Sequence, residues 1–181
     1  MKIGLLSYRS HPYSGGQGIY IKHLSKALKD LGHHVSVLSG PPYPELDNEI
    51  ELIKIPSLGM FETDNRIKLF SPKLFLSPLD LYEWFTVMTG GFPEPYTYGK
   101  RAYNFLKKNK DSFDVILDNQ CLATSLIDIQ DIFPLAVTIH HPITKDHKLE
   151  MESANNWKEK LSSIRSVSYT HLRAHETQTH L

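Results

Sequence analysis

Ile3-Gly4-Leu5-Leu6 followed by Ser14-Gly15-Gly16-Gln17-Gly18 and then by the amphipathic run Ile19 to Leu31 is the stretch that decides the fold. A short apolar run, a glycine-rich turn and a helix-period stripe read as a first strand, Lys2 to Ser7, passing through a loop into a first helix. The helix carries Tyr20, Ile21, Leu24, Ala27, Leu28 and Leu31 at three- and four-residue spacing, and Gly32 stands where a C-terminal cap glycine belongs. Val35 to Leu38 then reads as a second strand, which closes a strand-helix-strand unit with an expected right-handed crossover. Glycines at such a turn reach positive φ and let another molecule approach the backbone. The helix beyond offers unpaired N–H groups and the positive end of its dipole, a place for an anion such as phosphate.

Outward from this unit the pattern repeats. Ile50 to Ile55 is expected to be a third strand, Tyr96 to Asn109 a helix with Lys107, Lys108 and Lys110 near its C-terminus, and Phe113 to Leu117 a fourth strand ended by Asp118-Asn119-Gln120. Leu122 to Ile129 is expected to be helical and Leu135 to Ile139 a fifth strand leading into His140-His141-Pro142. Alternating strands and helices predict a doubly wound α/β domain with a parallel sheet. Between Ser57 and Pro95 the period degrades at Pro72, Pro78 and Pro93, yet the segment is rich in Phe and Leu. It reads either as short helices covering the sheet or lining a groove, or as an irregular packed insertion without ligand contact.

Bulk properties bound the function. The 181 residues suffice for one domain with a real core, and 40% hydrophobic with 22% charged residues is ordinary for a globular protein. Twenty basic residues balance twenty acidic ones, so no overall electrostatic pull toward nucleic acid is expected. The lone Cys121 fits a reducing compartment and reads as a small core residue. The N-terminal apolar run is too short for a signal-peptide core, and the expected location is cytoplasmic. No window reaches the apolar length of a spanning helix; Leu69 to Phe85, interrupted by Pro72, Lys73, Pro78, Asp80 and Glu83, can lie only on a surface. His171 and His175 share a helical spacing, but no third ligand accompanies them, so no metal site is expected.

In an open parallel sheet, ligands bind at the carboxyl ends of the strands near the reversal of strand order. The glycine loop, Asp118-Asn119-Gln120 and His140-His141 each follow a predicted strand, which places all of them on that rim. The loop is no dinucleotide fingerprint: Ile21 occupies the place of the third glycine, and strand two ends in Val37-Leu38-Ser39-Gly40 without an acidic ribose partner. It is no P-loop either, since no Gly-Lys-Ser/Thr follows. What remains is a helix-terminal phosphate site whose ligand is held chiefly from elsewhere.

The Ser14-Gly15-Gly16-Gln17-Gly18 loop with Leu24, Leu28 and Leu31-Gly32-His33-His34-Val35 resembles the N-terminal domain of family 4 glycosyltransferases, of the retaining GT-B type. Asp114 to Gln120 and Val137-Thr138-Ile139-His140-His141-Pro142 resemble that family's fourth and fifth strand ends, and the resemblance covers Met1 to about Arg165. It implies one Rossmann-like half of a GT-B architecture, and transfer of a sugar, hexosyltransferase-like, from a nucleotide diphosphate sugar to an acceptor. Neither an obligatory metal nor any other cofactor is implied. By this resemblance Gly15, Gly16 and Gly18 contact the donor diphosphate, and His140 lies near the transferred sugar and the acceptor as the catalytic candidate. Asn119, Gln120 and His141 are further cleft-lining candidates.

The family's second domain, which holds the nucleotide sugar, has no counterpart in the sequence. The expected domain organisation is therefore residues 1–165 as the acceptor-side domain, cut at its C-terminal end, and 166–181 as a tail. Ser168 to Thr177 resembles an adapter-derived, non-native run. A fragment of this kind is expected to be inactive alone. Its alternative is a stand-alone module that binds a phosphorylated or sugar ligand without chemistry. Peripheral membrane contact through a membrane-associated acceptor is compatible with the sequence.

Overall fold

The structure, a computed structural model, describes residues 1–59 and 69–140. Five strands, β1 (Lys2–Ser7), β2 (His34–Ser39), β3 (Glu51–Lys54), β4 (Val115–Asn119) and β5 (Leu135–Thr138), form one sheet in the order β3-β2-β1-β4-β5. Every pairing is parallel. The chain builds outward from β1 through β2 to β3, then crosses back to lay β4 on the other side of β1. The reversal of strand order therefore falls between β1 and β4, as an open doubly wound Rossmann-like sheet requires.

Strand alternation supplies two cores, because successive side chains leave a strand on opposite faces. Ile3 and Leu5 of β1, with Val35 and Val37 of β2, pack on Ile21, Leu24 and Leu28 of α1 (Gln17–Asp30). Leu6, Leu38 and Ile116 pack instead on α3 (Glu94–Lys108), through Ala102 and Leu106, and on α4 (Ser125–Gln130), through Leu126 and Ile129. α1 ends as its Gly32 predicts: Gly32 is left-handed at φ 86°, its N–H donates to the Lys29 carbonyl, and the His33 N–H donates to that of Leu28. These two bonds are the paired closure of a Schellman cap.

Two departures from the sequence pattern have local causes. Pro78 opens a helix instead of breaking one: α2 (Pro78–Met88) begins at this residue, where a proline's missing N–H costs nothing, and the Ser77 hydroxyl accepts the Asp80 N–H as its cap. The helix expected from Leu122 starts only at Ser125, because Gln120 (φ 51°) and Leu122 (φ 49°) are left-handed and hold the chain out of helical geometry. In the Ser57 to Pro95 region, a 3-10 turn over Pro72–Leu76 and α2 realise the short-helix alternative. Phe75, Leu76 and Phe85 there are exposed. No helix among the described residues is long and apolar enough to cross a membrane. The helix expected within Ala154 to Ile164, the 166–181 tail and the His171/His175 pair lie outside the described residues.

Candidate functional site

α1 starts on glycine. Gly15 (φ 80°) and Gly16 (φ 74°) are both left-handed, a conformation that costs an L-residue about 1–2 kcal/mol, and both are exposed with open space where a side chain would stand. Gly16 occupies the cap position without a side-chain acceptor, and the first turn carries no acid, so neither the cap nor the first turn supplies a side chain that neutralises the positive end of the helix. Gly18 is different. It is buried, and a Cβ on it would collide with the carbonyls of Ser10 and His11, so its lack of a side chain lets the preceding loop close over the helix.

One helical turn beyond the cap, Tyr20 donates its N–H to the Gly16 carbonyl at 2.8 Å and turns its ring to the rim. There it meets His140 edge to face, with ring centroids 4.6 Å apart, a favoured aromatic arrangement. The sequence assigns Tyr20 to the apolar stripe of α1; the structure gives it to the rim, and only its place in the first turn after the glycine loop could have signalled that. His140 is held from a second side by β4. Its N–H donates to Gln120 Oε1 at 2.8 Å, and its Nε2 lies 2.6 Å from Asn119 Oδ1. Residues 119, 120 and 140, at the ends of consecutive strands, thus meet beside the first turn of α1, where β4 neighbours β1. His141 lies outside the described residues.

Beneath this cluster lies a buried polar layer. Asp118 is 1% exposed, and its Oδ2 accepts the Cys121 N–H at 3.0 Å. Burial pushes its carboxyl up to about 6, against hydrogen bonds from Cys121 and Leu122 that favour the charged form. Burial, reinforced by Asp118, drives the Cys121 thiol well above its ordinary range, so it stays protonated and is no nucleophile. The Tyr98 phenol is likewise raised, first by burial. Asp118 Oδ1, Asn119 Nδ2 and Ser125 Oγ are buried without a hydrogen-bond partner among the described residues. Left-handed, non-glycine backbone at Gln120 and Leu122 sits in the same short loop, and strain of this kind concentrates at sites that bind or react.

Of the side chains near this rim, Arg9 is committed to Glu94 at 2.6 Å and lies 5.8 Å from the centroid of the Phe92 ring. The rim can therefore meet an anion with backbone N–H groups and the α1 dipole, and a hydroxyl with the imidazole of His140. No group of three or more metal-ligating side chains occurs among the described residues.

The sequence model of Glycosyltransferase Family 4 matches residues 14–175. An MMP alpha-(1->4)-mannosyltransferase of Mycolicibacterium hassiacum is 46% identical to the chain over 163 residues, which is 89% of the chain and 40% of that protein. The chain thus spans 40% of the length of this curated relative.

Proposed function

The chain belongs to glycosyltransferase family 4, and from that membership and the rim geometry we propose that it is the acceptor side of a GT-B enzyme. The reaction moves a hexose from a nucleotide diphosphate sugar to a hydroxyl of an acceptor with retention. The relative's name, a mannosyltransferase, supports mannose as the sugar. In this reading a second domain carries the nucleotide, and the two domains close on the cleft between them. The bond from the anomeric carbon to the diphosphate oxygen breaks, the acceptor oxygen takes its place, and the acceptor proton passes to the released nucleoside diphosphate. Gly15, Gly16 and the N–H groups at the start of α1 face the diphosphate, where donors fixed before the reaction stabilise charge on the leaving group. Gly18 serves the same loop by letting it close. His140 contacts the transferred sugar or the acceptor hydroxyl, with Asn119, Gln120 and Tyr20 holding it there.

The observation that carries this reading is the convergence of Tyr20, Asn119, Gln120 and His140 beside a glycine-capped helix at the point where strand order reverses. A chimera of this chain with the remaining C-terminal portion of the M. hassiacum relative tests it against a panel of nucleotide diphosphate sugars, mannose donors included. Transfer to an acceptor hydroxyl is expected, and His140→Ala should lower kcat by about a hundredfold, the scale of losing the positioning of a reacting group, with the melting temperature retained. Unchanged turnover in His140→Ala removes His140 from the mechanism. Tight nucleotide binding by the chain alone, with no transfer by the chimera, turns the assignment to a binding module.

A further inference from the structure

We propose that Asn119 is a positioning residue that holds the His140 imidazole in its Nε2–H tautomer and leaves Nδ1 as the acceptor offered to a ligand hydroxyl. The inference rests on the reading of His140 as a site residue. Asn119 closes β4 and is 3% exposed, whereas His140 is exposed, so the contact joins a fixed buried amide to a ring at the surface of the cleft. Its Oδ1 lies 2.6 Å from His140 Nε2. An amide oxygen carries lone pairs and no proton, so this contact is a hydrogen bond only when Nε2 is the donor. In the neutral imidazole the other nitrogen is then an acceptor. Nδ1 has no partner among the described residues.

The rest of the surroundings hold the ring without competing for the proton. Gln120 Oε1 takes the His140 backbone N–H, which fixes the main chain at the base of the ring. Tyr20 of α1 packs edge-on and contributes a π-face or ring edge, not a charge. The nearest carboxylate on β4, Asp118, is turned to Cys121. No ion pair reaches His140 among the described residues, so a neutral amide, and not a carboxylate, sets its proton. The distinction is one of charge: a carboxylate at this place favours the imidazolium, in which Nδ1 also carries a proton, whereas an amide oxygen adds no charge and, in the neutral ring, leaves Nδ1 as the acceptor toward a sugar hydroxyl.

The test is an imidazole ¹H–¹⁵N correlation spectrum of the ¹⁵N-labelled full chain recorded across pH, with the His140 signals identified by their loss in His140→Gln. In the parent chain at alkaline pH, His140 is expected to show the pattern of a proton on Nε2. In Asn119→Asp the His140 titration midpoint should rise by about 1–3 pH units, the effect of an opposite charge at contact distance, while the other histidines stay where they were. A proton on Nδ1 in the parent overturns the proposal, as does a midpoint in Asn119→Asp that coincides with that of the parent. If Asn119→Asp fails to fold, the parent tautomer decides alone. No sugar donor enters the experiment, so its failure is separate from failure of glycosyl transfer in the chimera.

Discussion

Tyr98 Oη donates a hydrogen bond to the Leu38 carbonyl across 2.5 Å, and the same oxygen accepts the Ser7 N–H at 3.0 Å. One phenol from α3 thereby ties the carboxyl end of β1 to that of β2, on the same rim as His140. Ser7 pairs with Ser39 in the sheet, so the tie is at the last rung of the ladder. Both partners are buried main-chain groups that water cannot serve. Tyr98→Phe should therefore cost about 1–3 kcal/mol, the penalty for leaving buried polar groups unmade. Urea unfolding checks this: a midpoint equal to that of the parent would show that the phenol is dispensable.

The two kinds of glycine in the α1 loop should separate on substitution. Gly15→Ala meets open space and pays only for its left-handed backbone, about 1–2 kcal/mol. Gly18→Ala drives a methyl group into the Ser10 and His11 carbonyls, so a larger loss is expected, with about 1–3 kcal/mol from overpacking alone and displaced amide resonances at residues 10 and 11. Equal unfolding midpoints and an undisturbed loop in Gly18→Ala would contradict the close approach.

Asp118 makes stability depend on pH in an unusual direction for a carboxylate. Burial raises its folded value to about 6 from 3.8, so the folded state holds the proton more tightly than the unfolded chain. The contribution is fully present below about pH 4 and is lost as pH rises through about 6, on the order of 3 kcal/mol in total. Asp118→Asn keeps an oxygen for the Cys121 N–H and has no charge to desolvate. Its stability advantage over the parent should be small at pH 4 and grow up to neutrality. Chemical unfolding at a series of pH values measures the difference, and an advantage that does not change between pH 4 and 7 would refute the assignment.

Arg101 bridges α3 to α2: its Nη2 lies 2.5 Å from Asp80 Oδ1 and 2.6 Å from Glu83 Oε2. Glu83 is 1% exposed, and its other oxygen accepts the Leu58 N–H at 3.1 Å. Removing only the cation leaves a buried carboxylate uncompensated, so Arg101→Ala should cost about 3–5 kcal/mol. The double variant Arg101→Met with Glu83→Gln should recover most of that. Guanidinium unfolding of the three proteins gives the answer, and a double variant as unstable as Arg101→Ala would locate the loss elsewhere.

Much of this was legible from residue patterns. Continuous apolar runs such as Leu5-Leu6 and Val37-Leu38 mark strands buried on both faces, and the 3.6-residue stripe of Ile21, Leu24 and Leu28 marks the helix between them. Gly32 announces its cap. Such features are local, because the backbone geometry that they need is set within a few residues. The start of α4 was misread for the same reason: nothing in the residue types of Gln120 and Leu122 shows that both are left-handed, in a loop whose hydrogen bonds run to Asp118 and to the distant His140.

The sequence by itself determined that a glycine-capped helix follows β1, and that polar strand ends at Asn119, Gln120 and His140 share one rim, since parallel strands all point their carboxyl ends the same way. Only the tertiary structure decided which of these touch. The order β3-β2-β1-β4-β5 sets the end of β4 beside β1, which leads into α1, and so brings both Asn119 and Tyr20 to one imidazole. It also gave Gly18 a packing role that its place in a glycine run conceals. Contacts between residues a hundred positions apart depend on strand order, burial and side-chain direction together, and no local spacing encodes those.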